Sequence, residues 1–267
     1  MVHPQGILYV ATGERHVREA LESARASKPH ACEYPFVLVT DCVSRAKAAG
    51  VFDQVLSHSN AIGGYRDKIS PLQNLPFAQT LFLDSDARLT APVSALFTAL
   101  GSAHLAAAYS PVRHPSGWSD EHVPSLFPEL NSGVLLLRRG RRQKRLIRRW
   151  LRLYDKLNRR FAQTWDQASL RSTVWTMMQQ QGLRLAVLPA EANFRTTKPW
   201  VAGKGLAVHV LHGRVPSDER QKLMNYLNAD IGRFRTWAEW FQITPESRLA
   251  LRTGEFLDTK PESDRNP

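Results

Sequence analysis

The stretch QTLFLDSDARLTAPV, residues 79–93, ends an apolar run in two carboxylates, Asp84 and Asp86, one residue apart. Leu81, Phe82 and Leu83 read as a buried strand, so both charges are aimed out of its end. Carboxylates this close disfavour one another's ionised form, and something positive belongs between them. One solution is a divalent cation. Mg2+ and Mn2+ prefer oxygen ligands, bind few carboxylates and complete their shell with phosphate oxygens and water. Such a cation would cancel the repulsion and neutralise a leaving diphosphate. A solvated turn is the plainer account of the same residues.

The elements that must aim this pair alternate. Strands are expected at 6–12, 34–41, 51–58 and 79–86, separated by helical patterns at 14–27, 44–50 and roughly 65–75. This rhythm predicts a mostly parallel sheet with helices on both faces, whose ligands sit outside the carboxyl ends of the strands. Asp84 and Asp86, Thr12 and Gly13, and Thr40 and Asp41 all fall at such ends. Further strands are expected at 104–110, 132–139, 183–190 and 206–213. A loop is expected at 111–131, a basic helix at 141–160 and a helix at 166–180. Residues 1–252 read as one domain and 253–267 as a polar tail.

The bulk numbers set the class. A chain of 267 residues, 43% hydrophobic, can bury a sizeable core. Cys32 and Cys42 are too few for a disulfide framework and lack metal spacing. No apolar run reaches roughly 18 residues, and the first residues lack a secretory pattern, so the cytoplasm is the expected compartment. The net charge of +12 points to polyanionic partners. Residues 138–160 hold twelve basic residues and one acid, and account for most of the excess.

TLFLDSDARLTAPVSALF resembles the DxD segment of GT-A-fold glycosyltransferases, especially the glycogenin-like group and related nucleotide-diphospho-sugar transferases. Four further segments resemble that group in its own order: YVATGERHVREA, FPELNSGVLLLRRG, TWDQASL and AVHVLHGR. YRDKISPLQNLPFAQ, leading into the DxD strand, matches as well, and the whole spans roughly residues 6–214. The resemblance implies a Rossmann-like nucleotide-binding sheet and a metal-dependent hexosyl transfer from a nucleotide-diphosphate sugar, a UDP-sugar, with retention of configuration. It departs in one place. The group's late histidine leads into Lys-Pro-Trp, whereas here KPW, residues 198–200, precedes it.

The resemblance also assigns roles. Asp84, Asp86 and a late histidine would hold Mn2+ or Mg2+. Of His209 and His212, the second stands at the strand end before Gly213 and is chosen. Ala11, Thr12 and His16 would flank the base, with Asp41 and Ser85 near the nucleoside. Lys68 or Arg66 would reach phosphate. Arg214 would add a guanidinium fork there. Asn131, Gly133, Asp166 and Gln167 would meet the donor sugar, and His114, Trp118 and His122 an acceptor glycan, free or lipid-linked. The basic helix 141–160 would face solvent or an anionic membrane at the inner face, and no nucleic acid is expected. The alternatives are a haloacid-dehalogenase-type phosphatase with Asp84 as nucleophile, and a sugar-nucleotide-binding protein without turnover.

Overall fold

The computed structural model describes residues 3–110, 118–196, 201–215 and 217–236. The tail 253–267, His114 and the KPW stretch lie outside these. The chain runs β1 (Gln5–Val10), α1 (Glu14–Ser27), β2 (Phe36–Thr40), α2 (Val43–Ala48), β3 (Gln54–Ser57), α3 (Tyr65–Ile69), β4 (Gln79–Leu83), β5 (Ala87–Leu89), α4 (Ser94–Leu100) and β6 (Leu105–Tyr109). There follow β7 (Leu130–Arg138), α5 (Arg141–Phe161), α6 (Gln167–Gln181), β8 (Leu185–Leu188), β9 (Phe194–Arg195), β10 (Val201–Ala202), β11 (Val210–His212), α7 (Ser217–Ala229) and β12 (Arg235–Thr236).

Seven strands form the main sheet in the order β3-β2-β1-β4-β7-β6-β8. Its neighbours are parallel except where β7 runs antiparallel to both β4 and β6. The reversal matters for the site. It brings the first residues of β7 to the edge where β1, β2 and β4 end. A second sheet, β5-β11-β9, stands against this edge, and β10 pairs with β12.

Both faces of the main sheet are covered, as the near-continuous apolar strands require. Ile7 and Tyr9, Leu81 and Leu83, and Val134 and Leu136 pack against Val17, Ala20, Leu21 and Ala24 of α1. The alternate residues Leu8, Phe82, Leu135 and Leu137 pack against Leu146, Ile147 and Trp150 of α5 and Leu170 and Val174 of α6. The two-residue period of each strand thus splits one apolar run between two cores.

Several sequence expectations need correction. The helix expected over 65–75 is one short α-helix followed by a 3-10 turn, Ser70–Gln73, because Pro71 lacks the N–H that an α-helix needs. The strand expected over 79–86 ends at Leu83. Asp84 starts a tight turn, closed by Ala87 N–H donating to Asp84 O at 3.0 Å, and Ala87–Leu89 leaves to pair with β11. The strand expected over 206–213 is only Val210–His212. The strand expected over 132–139 begins at Leu130, so Asn131, Ser132 and Gly133 lie inside β7 and are not a turn entering it. Helices α4 and α7 were not anticipated.

Trp150 is fully buried, and its Nε1 donates to Asp166 O and Ser169 Oγ, each at 3.1 Å. Trp150→Ala should cost about 3–5 kcal/mol in urea denaturation. Arg148→Ala on the exposed side of the same helix should change stability by no more than about 0.5 kcal/mol.

Candidate functional site

The turn after β4 receives its partners from four places. β11 lies antiparallel to β5 with His212 opposite Ala87, and Gly213 N–H donates to Asp86 O at 3.1 Å. This pairing carries a histidine from 126 residues downstream of Asp86 to the carboxylates. His212 Nε2 lies 3.5 Å from Asp86 Oδ1 and 4.0 Å from Asp84 Oδ2. Ligand atoms of Asp84, Asp86 and His212 all fall within 4.8 Å of one another. Two carboxylate oxygens and one imidazole nitrogen can hold a divalent cation: the oxygens suit Mg2+ and Mn2+ alike, and the nitrogen favours a transition ion such as Mn2+.

Gly133 makes the space. A Cβ there would meet the His212 ring and stand 2.6 Å from Asp84 Oδ2. Its carbonyl accepts from Asp84 N–H at 2.8 Å, fixing the carboxylate against β7. Gly213 has φ +134°, and a side chain there would strike Thr196 Oγ1.

Lys68 of α3 supplies the expected positive charge from within the protein. Its Nζ donates to Asp84 Oδ1 and Oδ2 at 3.2 and 3.1 Å and to Ser132 Oγ at 3.0 Å. It also stands 3.3 Å from Asp166 Oδ2, off the line of a hydrogen bond, since that oxygen has no hydrogen-bond partner. Burial would lower the Lys68 pKa, but Asp166 and Asp84 outweigh it and keep the ammonium charged. Burial raises the Asp84 carboxyl, with Lys68 and His212 opposing. Asp86 goes the other way. Burial would raise it too, but His212 and Arg214 hold it well below the usual carboxylate range.

A one-way chain of buried amides backs the histidine. His212 Nδ1 lies 2.8 Å from Asn193 Oδ1, and Asn193 Nδ2 donates to Asn131 Oδ1 at 2.7 Å. Asn131 Nδ2 donates to Gln167 Oε1 at 2.6 Å, and Gln167 Nε2 donates to Glu129 Oε1. Gly133 N–H also donates to Asn131 Oδ1, at 3.0 Å. Every amide oxygen in the chain is thus an acceptor from the His212 side. His212 must therefore carry a hydrogen on Nδ1, and its Nε2 faces Asp84 and Asp86: with a proton it donates to Asp86, and without one it offers a lone pair to a cation.

The other sequence candidates distribute around this centre. Asp166 stands at the start of α6, but its side chain caps no helix N–H and turns to Lys68. Gln167 is buried between Asn131 and Glu129. Asp41 accepts from Gly13 N–H at 2.9 Å, joining the ends of β2 and β1 beside Ala11. Thr12 Oγ1 donates to Asp67 Oδ2 at 3.1 Å. Arg214 pairs with Glu19 of α1 at 2.8 Å, and Ser85 Oγ donates to the same carboxylate at 3.0 Å. His16 Nδ1 lies 3.3 Å from Glu19 Oε2. Arg66 is drawn away to Asp155 of α5 at 3.0 Å. His209 faces Pro92 O at 3.1 Å and takes no part. Trp118 N–H donates to Gln163 Oε1 at 3.2 Å, while His122 is exposed. Asn193, Glu129, Glu19 and Ser132 were not singled out in sequence. Of these only Glu129, a carboxylate beside an apolar strand in ELNSGVLLL, carries a visible signal.

Burial raises the Glu129 pKa to about 7, with Asp166 adding and the hydrogen bond from Gln167 opposing. Between its ordinary value of 4.5 and about 7, the unfolded chain gives up this proton while the folded chain keeps it. Stability should therefore fall as pH rises through that window. Urea denaturation across the pH range should show the fall in wild type and its reduction in Glu129→Gln.

No protein-family model and no curated protein matches the sequence. Solved structures do match by fold. The chain superposes on a galactosyltransferase, LgtC, in complex with donor and acceptor sugar analogues, with TM-score 0.53, 16% identity, and coverage of 83% of this chain and 96% of that one. An active-site mutant of LgtC matches with TM-score 0.54 and 13% identity over 82% and 94% of the two chains. The glycosyltransferase GlyE of Streptococcus pneumoniae TIGR4 matches with TM-score 0.51 and 16% identity over 73% of this chain and 47% of its own. This chain thus spans about half the length of GlyE. Its α/β architecture, with a mostly parallel seven-stranded sheet, is the GT-A fold.

Proposed function

We propose that this protein is a metal-dependent glycosyltransferase. It moves a hexosyl unit from a nucleoside-diphosphate sugar, a UDP-sugar, to a hydroxyl of a glycan or lipid-linked glycan, with retention of configuration. The observation that carries the reading is the meeting of Asp84, Asp86 and His212 at the carboxyl end of β4, over a floor kept open by Gly133. Residues 1–252 act as one domain in this reading. The fold gives the phosphatase alternative no support.

Asp84, Asp86 and the His212 Nε2 lone pair would hold Mn2+ or Mg2+, which supplies charge neutralisation to the leaving diphosphate. Lys68 opposes the rise that burial imposes on the Asp84 carboxyl and aims it. Arg214 would exchange Glu19 for phosphate oxygens. Ala11, Thr12, His16, Asp41 and Ser85 line the nucleoside side. Asn131, Gly133, Asp166 and Gln167 form the floor beneath the donor sugar. Asp166 Oδ2, buried and without a hydrogen-bond partner, is the oxygen available to a sugar hydroxyl. Held there, it would also stabilise positive charge developing at the reacting carbon.

The outer face of α5 would meet the acceptor's membrane. Arg141, Arg142, Lys144, Arg145, Arg148 and Arg152 are exposed there, and the helix ends in an exposed Phe161. A basic surface of this kind is attracted to anionic headgroups. Among the described residues no helix is long and apolar enough to cross a membrane.

Two measurements test these readings. Thermal shifts with UDP, GDP, CDP, ADP and dTDP, each with Mn2+, Mg2+ or EDTA, should show stabilisation by UDP that needs metal and is lost in Asp86→Ala. No shift with any nucleotide in folded protein would overturn the donor site. In liposome flotation, the protein should rise with anionic vesicles at low salt and stay down with neutral ones. Equal behaviour on both would remove the membrane face.

A further inference from the structure

Two nitrogens of one guanidinium in this pocket have nothing to hold. Arg195 of β9 is paired in register with His212 of the parallel neighbour β11, so both side chains leave the sheet on the same face. Only 9% of Arg195 is exposed. Its Nε and Nη1 are out of contact with solvent and have no hydrogen-bond partner. The charges that act on it are those of Asp86, Asp84 and Glu129, with Tyr65 contributing less. None of the ion pairs among the described residues includes it.

Arg88 of β5 also has Nε and Nη1 buried without partners, but its strand register sets it opposite Leu211, not in line with His212 as Arg195 is; other arginines are treated differently. Arg171 donates through Nε to Phe127 O at 2.9 Å and through Nη2 to Pro124 O at 2.7 Å. Arg138 donates through Nε to Ala103 O at 3.1 Å. These are structural uses, in which backbone carbonyls repay the lost water. An arginine cannot shed its charge, so burying one without partners is a standing cost to the folded state. A cost carried beside a candidate ligand site is what a group kept ready for a ligand would show.

We propose that Arg195 is the anion receptor of this pocket, its planar fork taking non-bridging oxygens of the diphosphate of a bound nucleoside-diphosphate ligand. The assignment rests on the nucleotide-sugar reading above and adds to it a phosphate-binding residue that sequence reasoning did not reach. The chemistry fits the position. A guanidinium offers paired donors that match phosphate geometry, and the strand register keeps it alongside the His212 lone pair. Asp84 and Asp86 would share the cation on one side of the diphosphate while Arg195 neutralises another. The competing account is internal. Glu129 Oε2 is also buried without a partner, and the two groups could close on one another as a structural pair.

Calorimetric titration separates these. UDP and inorganic pyrophosphate, each with Mn2+, would be titrated into wild type, Arg195→Lys and Arg195→Met, and the melting temperature of each ligand-free protein recorded. Arg195→Met should bind both ligands about 10- to 100-fold more weakly, with Arg195→Lys between. Its ligand-free melting temperature should equal or exceed that of wild type, because an unpaired buried charge has been removed. Unchanged affinity in Arg195→Met, where wild type binds both ligands, would overturn the assignment and leave the nucleotide-sugar reading standing. A lowered melting temperature in Arg195→Met, matched by Glu129→Gln and not deepened in the double variant, would identify the internal pair and overturn it as well. If wild type binds neither ligand, the nucleotide-sugar reading falls and Arg195 with it.

Discussion

The burial of negative charge at the end of β4 is the constraint around which the rest of this molecule is arranged. Asp84 and Asp86 leave a strand whose preceding residues are among the most buried in the protein. Carboxylates placed there must be compensated, and the compensation arrives from separate parts of the chain: Lys68 from α3, His212 from β11 and, for Asp86, Arg214 just beyond it. Asp166 adds a further buried carboxylate, so Lys68 is shared between two acids rather than spent on one. Removing the lysine would leave two buried charges unpaired, which is far costlier than never having buried them. The antiparallel setting of β7 follows from the same demand, because only that direction brings Asn131, Ser132 and Gly133 to the carboxyl end of β4.

Direction also governs the polar chain behind His212. Four side-chain hydrogen bonds run from the imidazole through Asn193, Asn131 and Gln167 to Glu129, each amide accepting on one side and donating on the other. An amide turned over anywhere along this path would face donor to donor or acceptor to acceptor, at the cost of a buried unsatisfied group. The chain therefore fixes the hydrogen on Nδ1 and leaves Nε2 to Asp84 and Asp86. It ends on the only partner that can accept without donating back, an ionised carboxylate, or one that holds its proton on the free oxygen. Glu129 Oε2 is that free oxygen.

The parts of this architecture that sequence made legible are those where pattern and chemistry coincide. Alternating strands and helices, the paired carboxylates and the resemblance around Asn131 and Asp166 gave the sheet and the centre of the site. What escaped notice has physical reasons. The strands β5, β9 and β11 have two or three residues each, too few for any periodicity. Asn193 and Arg195 sit on or beside such strands, so nothing local marks them as facing a site. Lys68 lies in a five-residue helix where a solvated lysine is the ordinary expectation, and only the tertiary arrangement shows that it is buried. α4 has only seven residues and α7 a weaker apolar stripe than α5, whose Leu146, Ile147, Trp150 and Tyr154 are buried.

That stripe explains how one helix can serve two purposes. The inner face of α5 packs against the sheet and α6, and Trp150 Nε1 donates to the carbonyl of Asp166, the residue that stands beside Lys68. The helix thus sets where α6 begins and hence where the Asp166 carboxylate points. Arg148 and Arg152 lie on the opposite side, away from that placement, while Arg142 and Arg145 reach the far end of α6 at Gln181. Exposed charges of this kind add little to stability, so their density on one face calls for a reason other than folding. Charge at Arg148 and Arg152 can therefore be changed while the packing that aims Asp166 is kept. The surface charge of α5 and the geometry at the carboxylates are, in this fold, separately adjustable.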